Sequence, residues 1–166
     1  MKNLCHAGRI SPVLKPQKAT AKIERITYIR KYFLATWQRS LTKKQSLFPD
    51  LYDFTDVKGV KTIQALTDAL LEKYSDFPTA QDYFDAYAVM GAAIADIHTP
   101  TTIVTAQDDP IIPIEDFYDL KLNKHIRLVI HPHGGHNGFI TGFKLQSWYE
   151  NMIIRRFDQT CERMEE

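Results

Sequence analysis

The chain has 166 residues, 44% of them hydrophobic and 25% charged, an ordinary globular composition at a length that suits one domain. Its formal net charge is +1, so no whole-molecule field favours nucleic acid as a partner. Cys5 and Cys161 lie near opposite ends and suggest no disulfide framework, the first residues carry no signal-peptide core, and no apolar run reaches the ~18 residues of a membrane span; a cytoplasmic setting is the expectation.

Gly8–Val13 reads as a short strand end followed by a turn. From about Gln17 to Leu41 the pattern is helical: Ile23, Ile26, Phe33, Leu34 and Trp37 recur at three- and four-residue spacing, with Thr20 as a cap candidate. Lys15, Lys18, Lys22, Arg25, Arg30, Lys31, Arg39, Lys43 and Lys44 stand there against Glu24. Such a segment is either a solvated face or a peripheral contact for anionic lipid or an acidic substrate. Thr62 is placed to cap a helix running to about Tyr74, with Ile63, Leu66, Leu70 and Leu71 on one face. Thr79 is placed to cap the next, whose Tyr83, Phe84, Tyr87 and Met90 read either as core or as the lining of an acyl pocket.

The richest stretch is Pro100–Phe139. Thr101–Ala106 is a short β-branched run that exits into Gln107-Asp108-Asp109-Pro110-Ile111-Ile112-Pro113. Ile126–Ile130 is a second, exiting into His131-Pro132-His133-Gly134-Gly135-His136-Asn137-Gly138-Phe139. A helix-compatible piece, roughly 114–121, separates them, so the segment reads as strand–helix–strand in a buried parallel sheet. In open parallel sheets the ligand site lies outside the carboxyl ends of the strands. An Asp and a His at neighbouring strand ends can supply the acid and base limbs of a nucleophile–His–acid triad. Asp108 and Asp109 compete for the acid role. His131, His133 and His136, with those acids, also admit a metal-site reading, although the Pro/Gly turn would aim the rings apart. Thr141–Arg163 reads as a terminal helix with Trp148, Met152, Ile153 and Phe157 as its apolar stripe.

The words Ala106-Gln107-Asp108-Asp109-Pro110-Ile111-Ile112-Pro113 and Gly134-Gly135-His136-Asn137-Gly138-Phe139 resemble the α/β-hydrolase fold and, within it, the YheT-like branch. The resemblance runs from about Ile10 to the C-terminus and includes Asp82-Tyr83-Phe84 in the cap. It implies that Asp109, directly before the first proline, is the catalytic acid, and that His136, after the paired glycines, is the catalytic base. Asp108 would then brace the turn, and no cofactor is implied. The departure is the nucleophile. Ser11, Ser40, Ser46, Ser75 and Ser147 do not stand in G-x-S-x-G. The chain therefore resembles the C-terminal part of an α/β-hydrolase, with a short parallel sheet and a mostly helical cap. The expected divisions are a strand stub at 1–13, a helical cap at 14–96 and a C-terminal core at 97–166. The implied activity is serine hydrolysis of carboxylic esters, small or lipidic, with this chain inactive by itself. A non-catalytic module with a basic cap helix is the alternative, and self-association through the open sheet is a further expectation.

Overall fold

The computed structural model describes residues 6–165, with side chains for 6–158, so Cys5 and the Cys161 side chain lie outside the described residues. In chain order the elements are β1 (Ala7–Ile10), α1 (Pro16–Arg25), α2 (Thr27–Leu47), a 3-10 turn (Thr55–Val57), α3 (Ile63–Tyr74), α4 (Ala80–Ala86), α5 (Ala92–Ala95), β2 (Thr101–Ala106), α6 (Glu115–Tyr118), β3 (Ile126–His131), β4 (Ile140–Thr141), β5 (Gln146–Ser147) and α7 (Trp148–Glu165). The contact pattern divides the chain into two compact units, Met1–Lys15 with Val89–Glu166, and Pro16–Ala88.

The first unit is built on a parallel sheet in the order β1-β2-β3, giving the mixed α/β class that the sequence suggests. β2 is central and buried at every position, which suits its Thr-Thr-Ile-Val-Thr run: β-branched side chains pack well on both faces of a covered sheet. Its register runs from Thr101↔Ile126 to Ala106↔His131, so the carboxyl ends of β2 and β3 finish level. Val104, Ala106 and Phe139 form a core against which Ile10, Val129, Trp148, Tyr149 and Met152 pack. The expected apolar stripe of the last helix therefore does face the sheet, and its Ile153 lies 3.6 Å from where a Cβ on Gly8 would sit. That helix begins at Trp148 rather than Thr141, a correction to the sequence reading. Gly142 and Leu145, at φ 66° and 51°, instead turn the chain through the β4–β5 hairpin. The helix expected over 114–121 is likewise shorter and ends at Tyr118. After it, the Asn123 amide donates to Ile94 O, Ala95 O and Ile97 O, pinning the chain before it enters β3.

The helical unit shows three further differences. One helix was expected over 17–41; there are two, broken at Ile26, which is extended (φ −103°, ψ 97°). Ile26 and Thr27 are both β-branched and weak helix formers. Glu24, the lone acid of the basic stretch, explains what the break serves. Its carboxylate accepts from the Ile63 and Gln64 N–H groups at the start of α3, and Arg30 Nη1 donates to its backbone oxygen at 3.2 Å. Thr20 lies inside α1 and caps nothing, because Pro16 opens that helix at the position where its missing N–H costs least. Thr62 and Thr79 do cap, accepting from Ala65 N and Asp82 N at 3.1 Å each. α4 ends at Ala86, so Met90 falls outside it. No helix among the described residues is long and apolar enough to cross a membrane.

Candidate active site

The loops leaving β2 and β3 are neighbours because their strands are. Beyond the last register pair, Gln107 N donates to His131 O at 2.9 Å, and the chains then separate into the acid loop and the histidine loop. Pro110 and Pro113 bend the first. Proline has no N–H, so the donors left between them are Ile111 and Ile112. Both point at Asp109: its Oδ1 accepts from Ile111 N at 2.7 Å and from Ile112 N at 2.8 Å. This fixes the carboxylate and leaves Oδ2 facing outward, 3.1 Å from His136 Nδ1. The Asp109 side chain is 0% exposed and that of His136 is 30% exposed, so a buried acid holds a ring whose outer edge meets solvent.

Asp108, the rival acid, does different work. Its Oδ1 accepts from Gly134 N and Gly135 N, both at 2.8 Å, which ties the histidine loop to the acid loop. Those donations from Gly135 and Gly134 hold the Asp108 carboxyl below its ordinary range. A depressed carboxylate stabilises above its unfolded value of about 3.9, and that contribution is lost as pH falls through the lower folded value. The amide resonances of Gly134 and Gly135 are therefore expected to titrate together, with a midpoint below the usual Asp value, and Asp108→Ala should abolish the transition. A midpoint at or above the usual value would contradict the brace.

The histidine loop is tight. Gly135 (φ 56°), Asn137 (φ 64°) and Phe139 (φ 47°) are left-handed, and Phe139 N donates back to Gly134 O at 2.8 Å. Phe139 is buried at 2% exposure, its ring against Gly134. Asn137 Nδ2 lies 3.3 Å from His136 Nε2. A carboxylate accepts, so Nδ1 donates and carries the proton, while Nε2 keeps the lone pair toward the Asn137 amide. That tautomer is the one a general base requires. The sequence reading passed over Asn137; its only signal was its place directly after His136.

The other histidines are elsewhere. The His131 ring packs on Trp148, centroids 5.1 Å apart, and His133 is 86% exposed. The metal-site reading is not supported by this arrangement: the described residues contain no group of three or more such side chains able to hold an ion. No hydroxyl among the described residues bonds His136. Ser11 is the serine at a strand's carboxyl end; it follows β1, is 4% exposed at φ 42°, and its hydroxyl has no partner. Ser147 Oγ donates to Gly138 O, and Ser46 Oγ to Lys43 O.

No protein-family model matches the chain, and no solved structure matches it. Over 100 residues, 59% of this chain, it is 32% identical to an abhydrolase domain-containing protein of Dictyostelium discoideum, of which the match covers 25%. Over 135 residues, 77% of this chain, it is 27% identical to Phospholipase ABHD3 of Homo sapiens and of Mus musculus, covering 32% of each. The chain thus spans between a quarter and a third of the length of these relatives. With a short parallel sheet and several helices of the expected class, these similarities support, at low identity, an α/β-hydrolase family for this chain.

Proposed function

We propose that this chain carries the acid and base limbs of a serine hydrolase acting on carboxylic esters, in the YheT-like branch, with Asp109 as acid and His136 as base. The observation that carries the reading is the buried Asp109 carboxylate, anchored by two backbone N–H groups, on Nδ1 of the partly buried His136. The chemistry follows from that pairing. A serine on a strand-to-helix elbow, which this chain's own serines do not form, loses its proton to His136 Nε2 as its Oγ attacks the ester carbonyl. Asp109 stays ionised, holds the ring in one tautomer and stabilises the imidazolium. His136 then returns the proton to the leaving alcohol, and takes one from water to release the acid. The name of the human and mouse relatives supports lipid acyl esters as the substrate class.

A fluorophosphonate probe, which reports activated serines, tests this. The chain alone should take no label and hydrolyse p-nitrophenyl butyrate no faster than its His136→Ala variant. Joined to a hydrolase half that supplies the elbow, it should label and turn over, and His136→Ala should then cost roughly 10⁴-fold or more in kcat. Labelling of Ser11 in the chain alone, lost in His136→Ala, would move the nucleophile into this chain. Indifference of the joined protein to His136→Ala would end the reading.

A further inference from the structure

Asp109 takes one nitrogen of the His136 ring, Nδ1, and leaves Nε2 as the nitrogen that can work as a base. Among the described residues Nε2 has one partner, the side-chain amide of Asn137 at 3.3 Å. An unprotonated ring nitrogen can only accept, so the amide presents its N–H and not its oxygen. Asn137 stands in the left-handed region at φ 64°. Glycine takes that region without strain, and Asn and Asp are the side chains that tolerate it best. Of these three, Asn alone brings a donor to Nε2. Gly135 and Gly142 turn the chain at φ 56° and 66° with no side chain, so the turn alone does not call for an amide at 137.

Nε2 has a single in-plane lone pair. An amide N–H and a nucleophile's O–H therefore compete for it and exclude one another. Asn137 is exposed, so a displaced amide exchanges the ring for water at little cost. We propose that Asn137 is a positioning residue that guards the base: its N–H holds the Nε2 lone pair of His136 until a nucleophile hydroxyl takes the amide's place. The proposal rests on the reading of His136 as general base. The ring is then held at both nitrogens before the nucleophile arrives, by a buried acid that stays and by an exposed amide that yields. The guard also lowers the reactivity of Nε2 toward other electrophiles in the meantime.

Two variants on the chain alone test this. Asn137→Gly keeps the left-handed turn and removes the amide. Asn137→Asp keeps the size and replaces the donor by an acceptor. With the imidazole neutral, the Nε2 nitrogen resonance of Asn137→Gly should move toward that of an unbonded ring nitrogen. In Asn137→Asp the ring proton should pass in part from Nδ1 to Nε2, because a carboxylate bonds Nε2 only when that nitrogen carries a proton. Carbethoxylation of His136 by diethyl pyrocarbonate should quicken roughly two- to tenfold in Asn137→Gly, the scale of one neutral hydrogen bond. His133, 86% exposed, is the internal reference and should not change. The Gly134 and Gly135 amides, which bond Asp108, report that the loop keeps its fold. In the protein joined to a hydrolase half, Asn137→Gly should quicken fluorophosphonate labelling by a similar factor. An Nε2 resonance unmoved in Asn137→Gly, a proton already on Nε2 in the unaltered chain, or slower labelling of the joined Asn137→Gly protein would overturn the guard. The resonances are read without an elbow serine, so the guard and the hydrolase reading, which His136→Ala tests in the joined protein, can fail separately.

Discussion

Asp109→Ala is expected to lower the free energy of unfolding by about 2–5 kcal/mol, read from urea denaturation. The cost comes from what the carboxylate leaves behind. Ile111 and Ile112 are 9% and 1% exposed, and their N–H groups both donate to Asp109 Oδ1. Alanine strands both donors in a place where water does not replace the acceptor, at about 1–3 kcal/mol each. Against a typical total of about 5–15 kcal/mol, that is a large share. Asp109→Asn keeps one acceptor oxygen and should cost less than half as much. The contrast separates the two roles of this residue, because Asn preserves the turn while weakening the hold on the imidazole. A loss below about 0.5 kcal/mol in Asp109→Ala would mean the turn holds itself.

Gly134→Ala is the second large effect. A Cβ there would stand 2.5 Å from Cδ1 and Cε1 of Phe139 and 2.9 Å from the Cβ of Ala106. Neither neighbour can yield easily. Ala106 is fully buried on the central strand, and the Phe139 ring packs edge-on to Tyr149 with centroids 5.7 Å apart. The loop must therefore move, at about 1–3 kcal/mol for an overpacked contact. Movement drags His136 from Asp109, so in a hydrolase with its elbow the loss should also reach roughly 10²-fold in rate. Gly135→Ala is the control: nothing lies within 4 Å of its Cβ, and only the φ of 56° opposes it, at about 1 kcal/mol. Thermal melts that rank Gly135→Ala as the costlier change would contradict this packing account.

These effects also mark where the sequence was readable. Thr101–Ala106 is legible because a short β-branched run buried on both faces has few other uses. Thr62 and Thr79 are legible because a hydroxyl before a helical pattern has a specific N–H to satisfy. The break at Ile26 is not, since the apolar spacing of Ile23, Ile26, Phe33 and Leu34 continues through it. The Glu24 cap that accompanies the break lies 39 residues away in sequence. β4 and β5 have two residues each, too short for any periodicity to declare them. At the site, the turn chemistry announces a pair of acids, yet local residue types do not separate them. Asp108 and Asp109 differ by which N–H groups reach them, and those come from Gly134 and Gly135 in one case and from Ile111 and Ile112 in the other. Asn137 shows the same limit: its amide meets the His136 ring only once the loop adopts its left-handed turn.

The central claim, that Asp109 prepares His136 as a base, is tested most directly by the tautomer of that ring. Long-range nitrogen–proton correlation on the labelled chain, with the imidazole neutral, reads which ring nitrogen carries the proton. Geometry predicts Nδ1–H donated to Asp109, with Nε2 bare, and a redistribution between the two nitrogens in Asp109→Asn. A proton resident on Nε2, or a ring that does not respond to Asp109→Asn, would contradict the account.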